Sequence, residues 1–471
     1  MTELKLSSNA MTIFSKLNAA GFEAYVVGGA VRDHLMGKVP HDIDIASNAT
    51  PEDIKKVFED FHVIEMGIAF GIVTVVVNGE PFEIAQFRKD VGGNGRKPDV
   101  VEPVREVEVD LARRDFTMNA IAFDPIKGII RDPFAGAVDI MDREIDFVGC
   151  PLTRIREDKL RILRAFRFMS QLGFSIEWKS LDNIKWFVET AGEHTFENVS
   201  QERIMMELSK ILVGPNAFET VKLMFEVGLM QLIIPETTRL HEEHNCKWHK
   251  ETLKPFGNTI LAHVLNVVRF ASLKVASGMK YDAMTEHEGL ILMLAALLHD
   301  IGKPLVREAK PDGTDRFHTH DVVGANLTRE ILTRMKFSGD IVDRVTHLVK
   351  KHMNMHDLPK MKKVHKIRRM LATEDFKLMM LLGFCDTMGS SFDGVIPNEV
   401  EANEFKETVR ELIKVHGTVL PEPIITGNDL ILEGMKPGPD FKDRLYHTFN
   451  LQLCGEEDRT KLLNHAKGLK L

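Results

Sequence analysis

The chain has 471 residues, 44% of them hydrophobic, with 61 Lys and Arg against 69 Asp and Glu for a formal net charge of −8. That length can bury several cores, which excludes a small single-core binding module, and the acidic balance excludes recognition of nucleic acid through net charge alone. Four cysteines, Cys150, Cys246, Cys385 and Cys454, stand far apart and form no paired motif, as suits a reducing compartment.

Met1 to Phe14 lacks the basic-then-apolar plan of a signal peptide. Ala24 to Val27 is apolar and β-prone, and Gly28-Gly29 ends the strand and lets backbone N–H groups approach a ligand closely. A helix is predicted to open at these glycines. Its free N–H groups, its positive dipole end and Arg32 one turn in suit a triphosphate. In the next strand Asp42 and Asp44 share one face by the two-residue period, while Ile43 and Ile45 face the core. Mg²⁺ prefers oxygen ligands and leaves room for substrate phosphates, so this pair is expected to hold two ions in a nucleotidyl-transfer site. An acidic-x-acidic pattern alone carries nothing, since composition predicts roughly ten. The order strand, Gly-Gly, helix with Arg32, then Asp-Ile-Asp-Ile carries the argument.

Gly71 to Val77 reads as a strand, Asn78-Gly79 as a hairpin turn, and Phe82 to Phe87 as the return strand. That strand bears Glu83, either the third catalytic carboxylate or an ordinary exposed strand residue. Val91 to Val101, with Gly92, Gly93, Gly95 and Pro98 among charges, reads either as a loop that closes on a nucleotide or as a plain connection.

From Pro151 onward helical spacing dominates. Asp158 and Arg161 stand three apart in a run whose Leu160, Leu163 and Phe166 keep helical spacing, so their side chains are expected on one surface. Cytosine and adenine each present an exocyclic amine beside a ring-nitrogen acceptor, whereas uracil and guanine present a carbonyl beside an N–H. A carboxylate and a guanidinium side by side would accept the first two bases and reject the others. The bland alternative is an ion-paired helix. Arg164 and Arg167 continue the basic ridge. A second basic cluster runs from Lys350 to Arg369, either a phosphate track or a solvated face. Breaks near Gly214-Pro215 and Pro255-Phe256-Gly257 suggest borders.

Gly-Gly-Ala-Val-Arg-Asp at Gly28 to Asp33, Asp-Ile-Asp at Asp42 to Asp44, Arg-Arg-Asp-Phe-Thr-Met-Asn-Ala at Arg113 to Ala120 and Glu-Asp-Lys-Leu-Arg-Ile-Leu-Arg-Ala-Phe-Arg-Phe at Glu157 to Phe168 resemble the class II tRNA nucleotidyltransferase family. These are the CCA-adding enzymes, with bacterial poly(A) polymerases as close relatives. The likeness covers the first half of the chain strongly and continues more weakly to the C-terminus. It implies template-free addition of C, C and A to the tRNA 3′ end from CTP and ATP, with poly(A) addition as the alternative. It also implies that Arg113, Asp115 and Asn119 contact ribose and phosphates, and that Arg164 and Arg167 touch the nucleotide.

Further on, the apolar run Leu290 to Leu298, the longest in the chain and too short to span a bilayer, leads into His299-Asp300-Ile301-Gly302-Lys303. His-Asp also occurs at His41, His320 and His356, so the dipeptide decides nothing by itself. Only the His299 copy ends an apolar helix, with His263 upstream, His320 and His352 downstream, and Asp386 after another apolar run. This order resembles the HD phosphohydrolase superfamily. Mixed imidazole and carboxylate ligands suit a divalent transition metal that readies water for attack on a phosphate ester. The resemblance assigns His263, His299, Asp300 and Asp386 to metal and leaves His320 and His352 to line the site or bind a second ion, with His347 and His356 as bystanders. The tail after Pro421 resembles the C-terminal segment of bacterial nucleotidyltransferases bearing HD domains, and is expected to dock tRNA or to pack.

The expected fold is α+β. A small mixed-sheet nucleotidyltransferase head (1–149) precedes an elongated all-helical remainder: a nucleotide-selecting neck (150–214), a body (215–254), an HD domain (255–395) and a helical tail (396–471). A cytoplasmic protein with no membrane association is expected. The rival functional reading makes the HD hydrolase the main activity and the head a nucleotide sensor.

Overall fold

The computed structural model describes residues 4–40, 42–65, 67–68, 71–92, 100–246, 253–280, 283–390 and 398–469. They divide into two compact units, 1–235 and 236–471.

The first unit opens with α1 (Ser8–Ala19), capped by Ser7, whose hydroxyl accepts from the Ala10 N–H. There follow β1 (Ala24–Val27), α2 (Gly29–Leu35), β2 (Asp44–Ser47), α3 (Pro51–Val57), β3 (His62–Ile64), β4 (Ile72–Val77) and β5 (Glu80–Gln86). After the antiparallel hairpin of β6 (Arg88–Val91) and β7 (Val100–Pro103) come α4 (Val107–Ala112), β8 (Ala122–Asp124), β9 (Ile129–Arg131) and α5 (Gly136–Asp142). Seven strands form one mixed sheet in the order β3-β4-β5-β2-β1-β8-β9. β2 and β5 run parallel, and the other neighbours are antiparallel. All four residues of β1 are buried, as a strand with neighbours on both edges and packing on both faces requires. In β4 the alternation is visible instead, with Val73, Val75 and Val77 buried between half-buried neighbours. Asn78 and Gly79 both take positive φ, 51° and 83°, which gives the predicted two-residue turn. Of the predicted loop Val91 to Val101, residues 93–99 lie outside the described residues, as does His41.

Outside this sheet, β10 (Glu144–Ile145) and β11 (Ser175–Ile176) form a short parallel pair among helices. The helices are α6 (Pro151–Glu157), α7 (Arg161–Leu172), α8 (Trp178–Ala191), α9 (Gln201–Leu212), α10 (Ala217–Glu226) and α11 (Leu229–Ile233).

Among its described residues, the second unit is helical apart from one hairpin. It contains α12 (Ile260–Lys280), α13 (Glu286–Leu298), the hairpin β12 (Arg307–Ala309) and β13 (Asp315–Phe317), then α14 (His320–Arg334), α15 (Gly339–Asp357), α16 (Val364–Leu371), α17 (Phe376–Gly389) and α18 (Glu399–His416). α13 starts on a capping box between Thr285 and Glu288 and is buried without interruption from Ile291 to Leu298, packed against α12, α15 and α17. α12 has the length and mean hydropathy, 1.3, of a bilayer span, although only the shorter run Leu290 to Leu298 drew notice in the sequence. Its apolar window is 72% buried inside this unit, which accounts for the composition.

The tail folds as α19 (Gly427–Leu432), α20 (Asp440–Leu453) and α21 (Arg459–Gly468) around Leu430, Leu462 and Ala466. Two cations of the second basic cluster hold it. Arg369 lies over Tyr446 and Phe449 and donates to Asn450, and Arg368 donates to the Leu453 carbonyl. Lys350, Lys360, Lys362, Lys363 and Lys366 stay exposed.

Candidate functional site

In the first unit the site grows from the end of β1. Gly28 has φ 71°, and a Cβ there would lie 3.0 Å from Arg114 Nη1 and 3.6 Å from Asp44 Oδ2, so only glycine fits the turn. Asp44 is the first residue of β2, opposite Val27. Asp42 precedes the strand instead of lying in it, which corrects the expected alternation, yet its charge still acts on Asp44. The Asp44 carboxyl is raised above its usual range, chiefly by desolvation, with Asp42 adding and Arg114 opposing. Ile45 pairs with Ile84 across the parallel β2 and β5, which puts Glu83 level with Asp44, both exposed while Ile45 and Ile84 are buried. The three carboxylates do not close within the 4.8 Å span that marks ready-made metal clusters elsewhere in the chain.

The basic residues form a connected network. Arg32 donates to Asp33 and, at 2.8 Å, to Asn119 Oδ1; Asn119 donates to Asp115 at 3.4 Å; Asp115 accepts from Arg164 at 2.7 Å. Burial would raise the Asp115 carboxyl, but Arg164, Arg161 and the Phe116 N–H outweigh it and hold the group below its usual value. A cavity of ≈ 280 Å³ opens beside this chain, lined by Arg113, Arg114, Asp115, Asp158, Arg161, Arg164 and Arg203.

Asp158 and Arg161 thus face one cavity, but not from one helix. α6 ends at Glu157, Asp158 is extended at φ −149° and ψ 104°, and α7 starts at Arg161. Asp158 Oδ1 accepts from the Leu160 N–H at 3.1 Å, a local bond that competes with helix continuation. Its Oδ2 meets Arg203 at 2.7 Å. Arg161 donates to Glu157 at 2.7 Å and to the carbonyls of Arg154 and Arg113, each at 3.1 Å. Arg167 turns away to Glu207 and lies 4.4 Å over the Phe168 ring.

Three participants had no role in the sequence reading, and two of them, Asp110 and Arg203, carried no local signal. Asp110, 1% exposed, pairs with both Arg113 and Arg114; Arg114 packs under Gly28; Arg203 arrives from α9. Arg114 lies inside the Arg-Arg-Asp motif, where the resemblance assigns a role to Arg113 and Asp115 alone.

In the second unit, α12, α13, α14, α15 and α17 deliver His263, His299 with Asp300, His320, His352 and Asp386 to one buried cluster. His263 Nε2 lies 3.2 Å from His299 Nε2, 3.4 Å from Asp300 Oδ2 and 3.1 Å from Asp386 Oδ1. Asp300 Oδ1 is 3.4 Å from His320 Nε2, which lies 3.2 Å from His352 Nε2. Two groups within ligand distance, His263, His299 and Asp300, and Asp300, His320 and His352, therefore share Asp300. Gly302 makes this approach possible, since a Cβ would lie 2.3 Å from the His320 carbonyl oxygen.

The δ-nitrogens of His299, His320 and His352 sit 2.9, 2.7 and 2.6 Å from the carbonyls of Ala296, Phe317 and Val349. With each Nδ1–H donating there, the ε-nitrogens are turned towards one another, and as deprotonated lone pairs they form a donor set that fits a divalent cation. Burial lowers His352 to about 3. Asp300 and Asp386 lie well below the carboxylate range: burial opposes this, but His299 and Lys303 act on the first and His356 and His263 on the second.

Two residues depart from expectation. His356, read as a bystander, places Nε2 2.7 Å from Asp386 Oδ2; buried Lys303, assigned no role, is 2.6 Å from Asp300 Oδ2. His347 is half-buried and outside both ligand groups. Metal-free protein should lose stability as pH falls from about 6.5 towards 3, because unfolded His352 binds a proton there and the folded residue does not. The expected slope is up to about 1.4 kcal/mol per pH unit from this residue, checked by denaturant melts with and without His352→Gln.

Residues 24–146 match the family described as Poly A polymerase head domain, and residues 260–382 match the HD domain family. The chain carries a poly A polymerase head domain followed by an HD domain. Between them, residues 173–240 match a probable RNA and SrmB-binding site of polymerase A. The CCA-adding enzyme of Geobacillus thermodenitrificans is 45% identical over 221 residues, 47% of this chain and 53% of its own length. That of Listeria monocytogenes serotype 4b is 40% identical over 248 residues, 52% of this chain and 61% of its own. The matched stretch thus spans little more than half of these curated relatives. The crystal structure of the Bacillus stearothermophilus CCA-adding enzyme in complex with CTP aligns with a TM-score of 0.64 at 26% identity, covering 98% of this chain and 97% of that one. The head-domain match contains Gly28, Asp42, Asp44, Glu83 and Arg113 to Asn119, and the HD match contains His263, His299, Asp300, His320 and His352, whereas Asp158, Arg161 and Asp386 lie outside both.

Proposed function

We propose that this chain adds CCA to the 3′ end of tRNA from CTP and ATP, with the HD domain as an accessory phosphohydrolase. The observation that carries the reading is the arginine-lined cavity into which Asp158 and Arg161 both face. Five arginines and two aspartates line it, a surplus of cations suited to a triphosphate. Asp158 accepts the exocyclic amine of C or A, and Arg161 donates to the neighbouring ring acceptor. Arg32, Arg113, Arg114, Asp115, Asn119 and Arg164 hold ribose and phosphates beside Gly28 and Gly29, with Arg167 steadying the ridge through Phe168. The transfer joins the RNA 3′ oxygen to the α-phosphate and releases pyrophosphate.

Asp42, Asp44 and Glu83 offer oxygen alone, which suits Mg²⁺; held there, the ion supplies charge stabilisation for the reacting phosphate. The HD cluster mixes nitrogen and oxygen, which suits a divalent transition metal on His263, His299, Asp300 and Asp386, with Asp300, His320 and His352 open to a second ion. A 2′,3′-cyclic or terminal phosphate that blocks extension is the substrate class we assign to it. The domain borders 149/150, 214/215, 254/255 and 395/396, a cytoplasmic location, no membrane association and a tRNA-docking or packing tail belong to the same reading.

Incubation with tRNA lacking its terminal CCA, Mg²⁺ and labelled CTP plus ATP tests the proposal, and absence of label in RNA sinks it. Poly(A) addition is the second reading, favoured by the description of the head family. A requirement for CTP and a stop after one A exclude it. Arg161→Ala should relax base choice more than it weakens triphosphate binding, by about 1 to 3 kcal/mol of discrimination; unchanged rejection of UTP in a misincorporation assay would remove Arg161 from the base-reading pair.

A further inference from the structure

The cavity wall has three sources: the turn after α4, the 158–164 segment, and α9, which contributes Arg203 alone. Asp158 lies in the break between α6 and α7, so helix geometry does not aim its side chain. Two bonds do: the Leu160 N–H holds Oδ1 at 3.1 Å and Arg203 Nη2 holds Oδ2 at 2.7 Å. The pair is mostly shielded, with the Arg203 and Asp158 side chains 22% and 15% exposed.

We propose that Arg203 is a positioning residue that sets base choice by holding Asp158 as an acceptor aimed into the cavity; this rests on the reading of Asp158 and Arg161 as the base-selecting pair. Each carboxylate oxygen has two lone-pair sites, so one bond to Leu160 or Arg203 leaves room for a second donor. The exocyclic amine of cytosine or adenine supplies that donor. The carbonyl of uracil or guanine would set acceptor against acceptor, and the rejection holds only while the carboxylate cannot swing aside. The Leu160 bond comes from Asp158's own turn and restrains one oxygen. Arg203 reaches in from a different helix and fixes the other, so the plane of the carboxylate is set from outside the motif.

The test uses the full-length protein, Mg²⁺ and tRNA lacking its CCA end, with kcat and KM measured separately for CTP and UTP in wild type, Arg203→Ala and Arg203→Lys. For Arg203→Ala the kcat/KM preference for CTP over UTP is expected to fall about 5- to 150-fold, the span of one good base contact. Arg203→Lys, which keeps the charge and loses the planar fork, should fall between it and wild type. A structural role alone lowers both substrates together. Preservation of the wild-type CTP:UTP ratio in both variants, however slow they become, overturns the proposal. Should Arg203→Ala fail to fold by circular dichroism, the ratio in Arg203→Lys decides alone. Wild type that incorporates no CMP at all defeats the functional reading instead, so the two failures are distinct.

Discussion

Asp44→Ala should lower labelled CMP incorporation more than about 100-fold, beyond the cost of losing an outer partner of a metal ligand, and Asp42→Ala should do the same. The reason is local charge. Asp44 already sits against Asp42 and Arg114 in a partly desolvated place, and its neighbour in the sheet is Glu83. Neither alanine variant should weaken the fold greatly, because both carboxylates are exposed while Ile45 and Ile84 beneath them are buried. Normal melting with lost incorporation is the expected pair of results; incorporation retained in either variant removes the two-metal assignment. Metal content of the HD cluster should be unaffected, which gives an internal control.

Asp300→Asn should empty both halves of the HD cluster at once, since the two ligand groups share this carboxylate. Mn²⁺ or Zn²⁺ bound per chain, measured by elemental analysis after dialysis, should fall to near background, and metal-dependent phosphatase activity should go with it. CCA addition should survive. Asparagine is the better substitution, because Asp300 also faces buried Lys303 at 2.6 Å and the amide oxygen keeps an acceptor there that alanine would remove. Retention of both metal and hydrolysis would exclude Asp300 as a ligand, whereas loss of CCA addition along with them would mean a structural role.

Where local chemistry decides conformation, the chain could be read directly. Gly28-Gly29 and Asn78-Gly79 occupy the turns their composition demands, and the alternation in Ile72–Val77 is the one a half-covered strand requires. The resemblance to the HD superfamily, carried by the order of His263, His299, Asp300, His320, His352 and Asp386, picked side chains that the structure gathers into one buried cluster. Failure came at two kinds of place. Asp158 keeps helical spacing with its neighbours, yet its side chain bonds the backbone two residues on and breaks the helix, a competition that hydrophobic periodicity does not register. Arg203, Asp110, Lys303 and His356 matter through partners brought close by folding. Spacing within a motif says nothing about a guanidinium 45 residues downstream of the aspartate it holds.

The tail adds a warning for anyone shortening this chain. Arg369 lies over Tyr446 and Phe449, and Arg368 donates to the Leu453 carbonyl in the last turn of the same helix. A truncation ending before Asp440 would leave α16 its packing against α18 and remove the partners that both guanidiniums find in α20. Inactivity of such a fragment would then report a damaged second unit, and only point changes at exposed lysines such as Lys362 and Lys363 can ask whether RNA touches that surface.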